Sequence, residues 1–536
     1  IFEWFGYAGT TAGMILGESA YYLSIGLFLL FLAGFIVWLV CLSRYFHRRS
    51  LTISASFPFW KRGVVVLVGA CLIGLCIFGI RGRTGYNPIK VSAAYFCQDA
   101  FLNQLGVSPT FNLLTSVMDD MRPENKYLHL MDEQEAITKA QALLNRQGDA
   151  NVSPLAVYRH AAKADSVQQR RPNVVLIMME SMSSKLMKHF GQSETLTPFL
   201  DSLYTRSISF RNFYSAGIHT NHGLYATLYS FPAMMKRNLM KGSVIPRYSG
   251  LPTVLKENGY YNFFFMTHEG QYDNMNAFFR TNGYDEVFSQ EDYPADKVVN
   301  SFGVQDDFLY DYAIPVLNQR AATGQPFFAT LLSISNHPPY VIPPFFHPKT
   351  SEPEMQIVEY ADWALRQFFE EARKQPWFDN TIFVLEGDHG KLVGDAECEL
   401  PESYNHIPLM IYSSRIHPEE KNTFGGQVDI QPTILGLLNI DYLQNNFGVD
   451  LLKEERPCMF YTADNMIVGR NDTLLYLYNY ETQQEFTYHI DNGKLKAVPM
   501  DDRFLPLKEY SFSMLQSAEF LVKHGKTVNS VPFTQQ

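Results

Sequence analysis

The sequence predicts an α/β protein: a mainly parallel sheet flanked by helices, preceded by membrane-spanning helices and followed by a small antiparallel β subdomain. Three observations predict it. Strand-length runs that are almost wholly apolar alternate with helical stretches: NVVLIMM (173–179), YNFFFMT (261–267), PFFATLLSIS (326–335), TIFVLEG (381–387) and IPLMIYS (407–413). Such runs suit strands covered on both faces, as βαβ units require. Two uncharged runs lie near the start, and after about residue 455 short strands follow one another before a last helix.

The first uncharged run covers residues 19–43 and the second 63–80. The first is long enough to span a bilayer and the second is near the lower limit, where a buried soluble helix is the alternative. The loop between them carries Arg44, Arg48, Arg49, Lys61 and Arg62. So basic a short loop belongs in the cytoplasm, which puts everything after about residue 81 outside. By the same logic residues 1–18 lie outside, and an odd number of spans is expected upstream of Ile1.

Residues 84–170 read as a helical juxtamembrane linker. AAYFCQDAFLNQLGV (93–107) and DEQEAITKAQALLNRQ (132–147) space their apolar residues as helices do, and Asp132 with Glu135 forms a cap signature. This stretch suits either the membrane surface or an ordinary linker. Residues 171–450 carry the apolar strands, and 451–536 the antiparallel strands CMFYTAD, TLLYLYNY, EFTYHID and LKAVPM with the helix KEYSFSMLQSAEFLVKHG.

Composition narrows the function. A net charge of −10 over 536 residues argues against a nucleic-acid partner. The six cysteines contain no C-x-x-C, so no zinc ribbon is indicated, and pairing of Cys398 with Cys458 is left open.

In open α/β sheets, ligands bind beyond the carboxyl ends of the strands. Glu180 follows the first apolar run, His268 the second, His337 (in NHPPY) the third, and Asp388-His389 (in GDHG) the fourth. Each has a plain alternative: Glu180 as a helix-start acid, the histidines as loop residues, Asp388-His389 as a turn. Four such strand ends at one edge point instead to a divalent cation, Mn²⁺, Zn²⁺ or Mg²⁺. A nucleophile is available in SAGIHTNHG (215–223). Thr220 precedes a helical stretch, where a hydroxyl beside a cation can attack an electrophile and the helix N-terminus favours a phosphate. The alternative is a simple N-cap. His219 and His222 flank Thr220.

These pieces, in this order, resemble the lipoteichoic acid synthase and phosphoglycerol transferase family of the alkaline phosphatase superfamily. The matching pieces are VLIMMESM, AGIHTNHG, NHPPY, GDHG, DIQPTILGLLNI and the upstream AYFCQDAFLNQLGVSPTFNLL, together most of residues 20–450. The resemblance implies an alkaline-phosphatase-like fold and one metal, commonly Mn²⁺, held by Glu180, Thr220, Asp388 and His389. It implies a Thr220 nucleophile, a substrate pocket lined by His268 and His337 with His406 added, and five membrane spans. Two departures stand out. No C/S-x-P-x-R occurs at AGIHTNHG, which disfavours sulfate-ester hydrolysis. Where lipoteichoic acid synthases carry a Trp and an Arg, this chain has Tyr272, Asp273 and Asn274.

The expected protein is a multi-pass enzyme of the cell membrane with an extracytoplasmic catalytic domain. It moves a phosphoglycerol-type group from a phospholipid donor to a glycan or lipid acceptor through phospho-Thr220. The alternatives are a phosphoethanolamine transferase, favoured by Glu269 and Asp273, a phosphodiesterase, and an inactive glycan- or lipid-binding relative.

Overall fold

The computed structural model describes residues 22–52, 59–84, 88–97, 100–122, 127–144, 158–161, 171–242, 245–491 and 493–528. The expected outer segment 1–18 and much of 145–170 therefore lie outside the described residues. The chain divides into two compact units, one of residues 1–89 with 116–120, the other of 90–115 with 121–536.

In the first unit, helices α1 (Tyr22–Thr52) and α2 (Phe59–Arg81) are each long and apolar enough to cross a membrane, over Leu29–Arg48 and Gly63–Arg81. Their large apolar side chains, such as Phe31, Val66 and Ile80, are exposed.

In the second unit, helix α3 (Glu133–Leu144) starts where sequence places its cap: the Glu135 amide donates to Asp132 Oδ1 at 2.9 Å. It buries Ala136, Ile137, Ala140 and Leu144. The eight-stranded sheet is built from β1 (Asn173–Met179), β2 (Ile208–Tyr214), β3 (Tyr261–Met266), β4 (Glu286–Phe288), β5 (Phe327–Leu332), β6 (Thr381–Gly387), β7 (Leu409–Tyr412) and β8 (Glu419–Gly426), in the order β4-β3-β5-β1-β6-β7-β2-β8. All neighbours are parallel except at β7, which runs antiparallel to both β6 and β2. The central strands β1, β5 and β6 are buried along their whole length, as their unbroken apolar character requires.

Helices cover both faces. One core packs Val174, Leu176 and Met178 of β1 against helix α4 (Thr220–Tyr229) and the Phe264–Phe279 stack. The other packs Val175 and Ile177 against helix α5 (Pro353–Ala372) through Phe369 and its neighbours. A five-stranded antiparallel meander follows: β9 (Met459–Ala463), β10 (Met466–Arg470), β11 (Leu474–Asn479), β12 (Glu485–Asp491) and β13 (Lys494–Ala497). Helix α6 (Leu505–Lys523) closes the chain and packs on α3, with Lys139 paired to Glu509 and Lys523 Nζ to Glu133 at 2.8 Å.

Two joints tie the chain from Arg456 onward to the sheet domain. Arg456 donates from Nε to both carboxylate oxygens of Asp429, at 2.8 and 3.0 Å, inside the core. Arg237 is bidentate to Glu519 at 3.0–3.1 Å. Cys398 and Cys458 are both free thiols, so no disulfide joins them.

Candidate metal centre

The strands deliver their terminal residues to one edge because β3, β5, β1 and β6 are contiguous and parallel. The β1–β6 register ends with Met179 opposite Gly387, so the next rung sets Glu180 beside Asp388. One further ladder bond, from the Asp388 amide to Met179 O at 3.0 Å, holds that rung. Glu180, Asp388 and His389 each offer a ligand atom, all within 4.8 Å of one another.

The protonation pattern says what this trio wants. His389 Nδ1 lies 2.8 Å from the carbonyl of Gly390, and a carbonyl only accepts. Nδ1 therefore carries a proton, and Nε2 faces Glu180 Oε1 at 3.7 Å and Asp388 Oδ2 at 3.6 Å. Asp388 Oδ1 accepts from the amides of Ser181 (2.8 Å) and His389 (2.7 Å), whereas its Oδ2 is buried with no hydrogen-bond partner. Glu180 is 2 % exposed. Burial, then the Asp388 carboxylate, push its pKa well above the usual range. Two buried carboxylates this close repel unless a proton or a cation sits between them. The donor set, two carboxylates and an imidazole oriented by its own carbonyl partner, fits a divalent ion.

Thr220 reaches the same edge from β2 by the loop 215–219. It is the first residue of α4, with His219 at the cap, and its Oγ1 lies 3.4 Å from Glu180 Oε2. Gly223 lets α4 come this close: a Cβ there would stand 2.3 Å from the Asp388 carbonyl oxygen. The glycines around Asp388-His389 have the same reason. A Cβ at Gly387 would meet Met182 O at 2.5 Å, and one at Gly390 would meet Ser403 O at 2.1 Å. They mark close backbone approach rather than a tight turn.

The other sequence candidates divide. His268 is buried with Nε2 unpartnered, its ring 4.7 Å from Tyr272. Burial lowers its pKa and raises that of Tyr272 to about 12. His337 is half-buried against Phe302, with Nδ1 2.6 Å from Pro338 O, and burial lowers its pKa too. Asp273 is engaged: Lys241 Nζ lies 2.8 Å from it and Asn221 Nδ2 donates at 3.2 Å. Asn274 turns away and donates to Met240 O at 2.7 Å. His406 is not brought to the cluster. Its Nε2 lies 2.8 Å from Arg211 O, and its ring packs on Tyr214 and Phe190, so it is a packing residue rather than a pocket residue. Of the two histidines beside Thr220, His219 pairs with Asp464 at 3.0 Å. His222 is fully buried, and burial pushes its pKa down to about 3.

Sequence reasoning missed four supporting residues. Ser181, at φ 51°, donates from Oγ to Glu180 Oε1 at 2.6 Å. Asn336 Nδ2 donates to Glu180 O (3.1 Å) and Ser181 O (3.2 Å), and its own Oδ1 accepts from Lys391 Nζ at 2.9 Å. Burial lowers the Lys391 pKa. Gln427 Nε2 donates to the carbonyls of Gly387 and Asp388, at 3.0 and 2.7 Å. Only Asn336 carried a local signal, its place in NHPPY.

Comparison with known proteins gives this geometry a context. The profile of the sulfatase family matches residues 172–440. Lipoteichoic acid synthase 1 of Bacillus subtilis is 26% identical over 354 residues, which cover 61% of this chain and 54% of the relative. The chain spans about half the length of the curated relatives it matches. A protein of the alkaline phosphatase superfamily from Vibrio parahaemolyticus superposes with a TM-score of 0.67 at 24% identity, covering 76% of this chain and 100% of that one. A lipoteichoic acid synthase from Listeria monocytogenes superposes with a TM-score of 0.57 at 21% identity, covering 66% and 93%. Both superpositions establish the fold.

Proposed function

This chain belongs to the sulfatase family, within the alkaline phosphatase superfamily, and from that premise we propose that it is a membrane-anchored phosphotransferase. It moves a phosphoglycerol-type head group from a phospholipid to a hydroxyl of an envelope glycan or lipid. One observation carries the reading: a hydroxyl at a helix start, Thr220 Oγ1, stands 3.4 Å from Glu180 Oε2 beside a buried carboxylate–carboxylate–imidazole trio.

Glu180, Asp388, His389 and Thr220 would hold the metal, Mn²⁺ by family resemblance. When bound, a divalent cation supplies Lewis acidity, lowering the pKa of a hydroxyl and offsetting charge on phosphoryl oxygens. The protein's own groups do the rest. Glu180 Oε2 accepts the Thr220 hydrogen bond and points Oγ1. The start of α4 adds its dipole to the phosphate site. Thr220 Oγ1 attacks the phosphodiester phosphorus as its proton passes to Glu180 Oε2, the bond to the diacylglycerol oxygen breaks, and that oxygen takes the proton. An acceptor hydroxyl then attacks the same phosphorus, the bond to Thr220 Oγ1 breaks, and the acceptor's proton returns to Oγ1 through His337. His337, whose Nδ1–H is taken by Pro338 O, presents an unprotonated Nε2 that receives the acceptor's proton. His268 and Tyr272 line the head-group side.

The absence of C/S-x-P-x-R at AGIHTNHG favours phosphoryl over sulfuryl chemistry. Of the two acids that favour an ethanolamine donor, Asp273 is paired with Lys241, while Glu269 is buried and accepts from Gln271 Nε2 at 3.2 Å. The division we propose places the membrane region at 1–83, the linker at 84–170, the catalytic domain at 171–450 and the β subdomain with its helix at 451–536. The basic loop between α1 and α2 supports an extracytoplasmic catalytic domain.

The test is mass spectrometry of the Thr220 peptide after the full chain meets a mixture of phospholipids with Mn²⁺. A phosphoglycerol adduct is expected, absent in Thr220→Ala. An unmodified Thr220 under turnover would refute the covalent route, and a phosphoethanolamine adduct would reassign the donor.

A further inference from the structure

A cavity of about 410 Å³ opens between the β9–β10 hairpin, Tyr480 and the loop 234–237 that follows α4. That volume suits a small ligand. None of its lining residues belongs to the metal edge, yet one side chain connects the two. Asp464, in the cavity wall, lies with Oδ1 3.0 Å from Nε2 of His219, and His219 immediately precedes Thr220.

We propose that this cavity is the acceptor subsite and takes a neutral, hydroxyl-rich ligand of the oligosaccharide class. Its charges are matched or in slight acidic excess. Arg237 is consumed by its bidentate bond to Glu519, Lys236 faces Glu481 at 3.8 Å, and Asp464 adds a further acid. Three acids (Asp464, Glu481, Glu519) against two bases (Lys236, Arg237) in this wall disfavour a phosphate-bearing chain. What the wall does offer is planar polar groups, Asp464 and Asn465, set beside two tyrosine rings, Tyr127 and Tyr480. Sugars present the complement: hydroxyls at the rim and an apolar C–H face for a ring. The backbone gives a second, independent sign. Met235, in the wall, holds a φ of 56°. Left-handed backbone at a bulky Met is rare, and such strain concentrates at ligand sites.

The acceptor role rests on the phosphotransferase reading above; the binding does not. The experiment is ligand-observed saturation-transfer NMR on the full chain in detergent micelles, with maltotriose, cellotriose and chitotriose as probes and glycerol phosphate as the anionic comparison. At least one neutral trisaccharide is expected to bind. Its Kd should weaken at least about tenfold in Tyr480→Ala and in Asn465→Ala, and stay unchanged in Thr220→Ala. The two cavity variants should still form the Thr220 adduct at the parental level while losing transfer to the saccharide. Saccharide binding that is absent, or indifferent to both cavity variants, overturns the proposal. So does glycerol phosphate binding that those variants abolish. If saccharide binding follows the expected pattern while no Thr220 adduct ever forms, the cavity assignment stands and the phosphotransferase reading falls.

Discussion

Asp388 shows how much a single side chain settles. One oxygen takes two backbone amides and is fixed; the other is buried with no hydrogen-bond partner, 3.6 Å from Nε2 of His389. Replacing it by Asn puts an N–H₂ or a weaker acceptor where the proposed cation would sit. Loss of an outer-shell partner costs about 10–100-fold in metal affinity, and loss of this carboxylate should cost more. Calorimetric titration of Asp388→Asn with Mn²⁺ checks it, with parental affinity as the contrary result. A second buried acid bears on pH. Asp362 accepts from the amides of Phe199 and Leu200 at 2.9 Å each, and burial pushes its pKa up to about 7 from an ordinary 3.8. The folded state thus holds this proton more tightly than the unfolded chain. The stability it contributes is complete below about pH 4 and is lost as pH rises through 7. Thermal melts across that range should show the decline, and Asp362→Asn should flatten it.

Among elements, the register of β1 on β6 does the most: it makes Glu180 and Asp388 neighbours without any contact between their local sequences. Helix α4 is the other arm, and Gly223 is its fitting point. Gly223→Ala forces a methyl to 2.3 Å from Asp388 O, so helix or loop must move. A cost of about 1–3 kcal/mol in stability is expected, together with weakened adduct formation at Thr220; an unchanged Tm and adduct yield would contradict the close approach. The β subdomain depends on Arg456. Arg456→Met strands the buried Asp429 carboxylate and should cost about 3–5 kcal/mol, read from denaturant unfolding.

The same elements show what sequence could reveal. Strands β1, β3, β5 and β6 were legible because both faces are buried and the runs are correspondingly apolar. Strand β2 was not, because Arg211 is exposed and breaks its pattern. Edge strand β8 begins Glu419-Glu420-Lys421, the charged composition that edges use and that reads as loop. The short β10 went unseen between two better signals. Glu180, Asp388 and His389 followed from the strand-end rule. Ser181, Lys391 and Gln427 did not, since their roles are hydrogen bonds between segments far apart in the chain. His406 precedes β7, whose antiparallel course brings its start to the same edge as Asp388, but the ring turns away to Arg211 and Tyr214, an orientation that no local pattern signals.

At the scale of the molecule, a parallel sheet gathers the ends of separated segments, residues 180 and 388–389, and a helix entering from β2 adds a hydroxyl. The metal-dependent phosphotransfer proposed here needs all of them on one ion. Two apolar helices accompany this unit in the chain, and the α1–α2 loop carries the basic residues that set orientation. The most direct measurement is anomalous diffraction at the manganese edge from crystals grown with Mn²⁺. The account predicts a single peak about 2.0–2.2 Å from Glu180, Asp388, His389 Nε2 and Thr220 Oγ1. A peak elsewhere, or an ion at the edge that Thr220 does not reach, would contradict it.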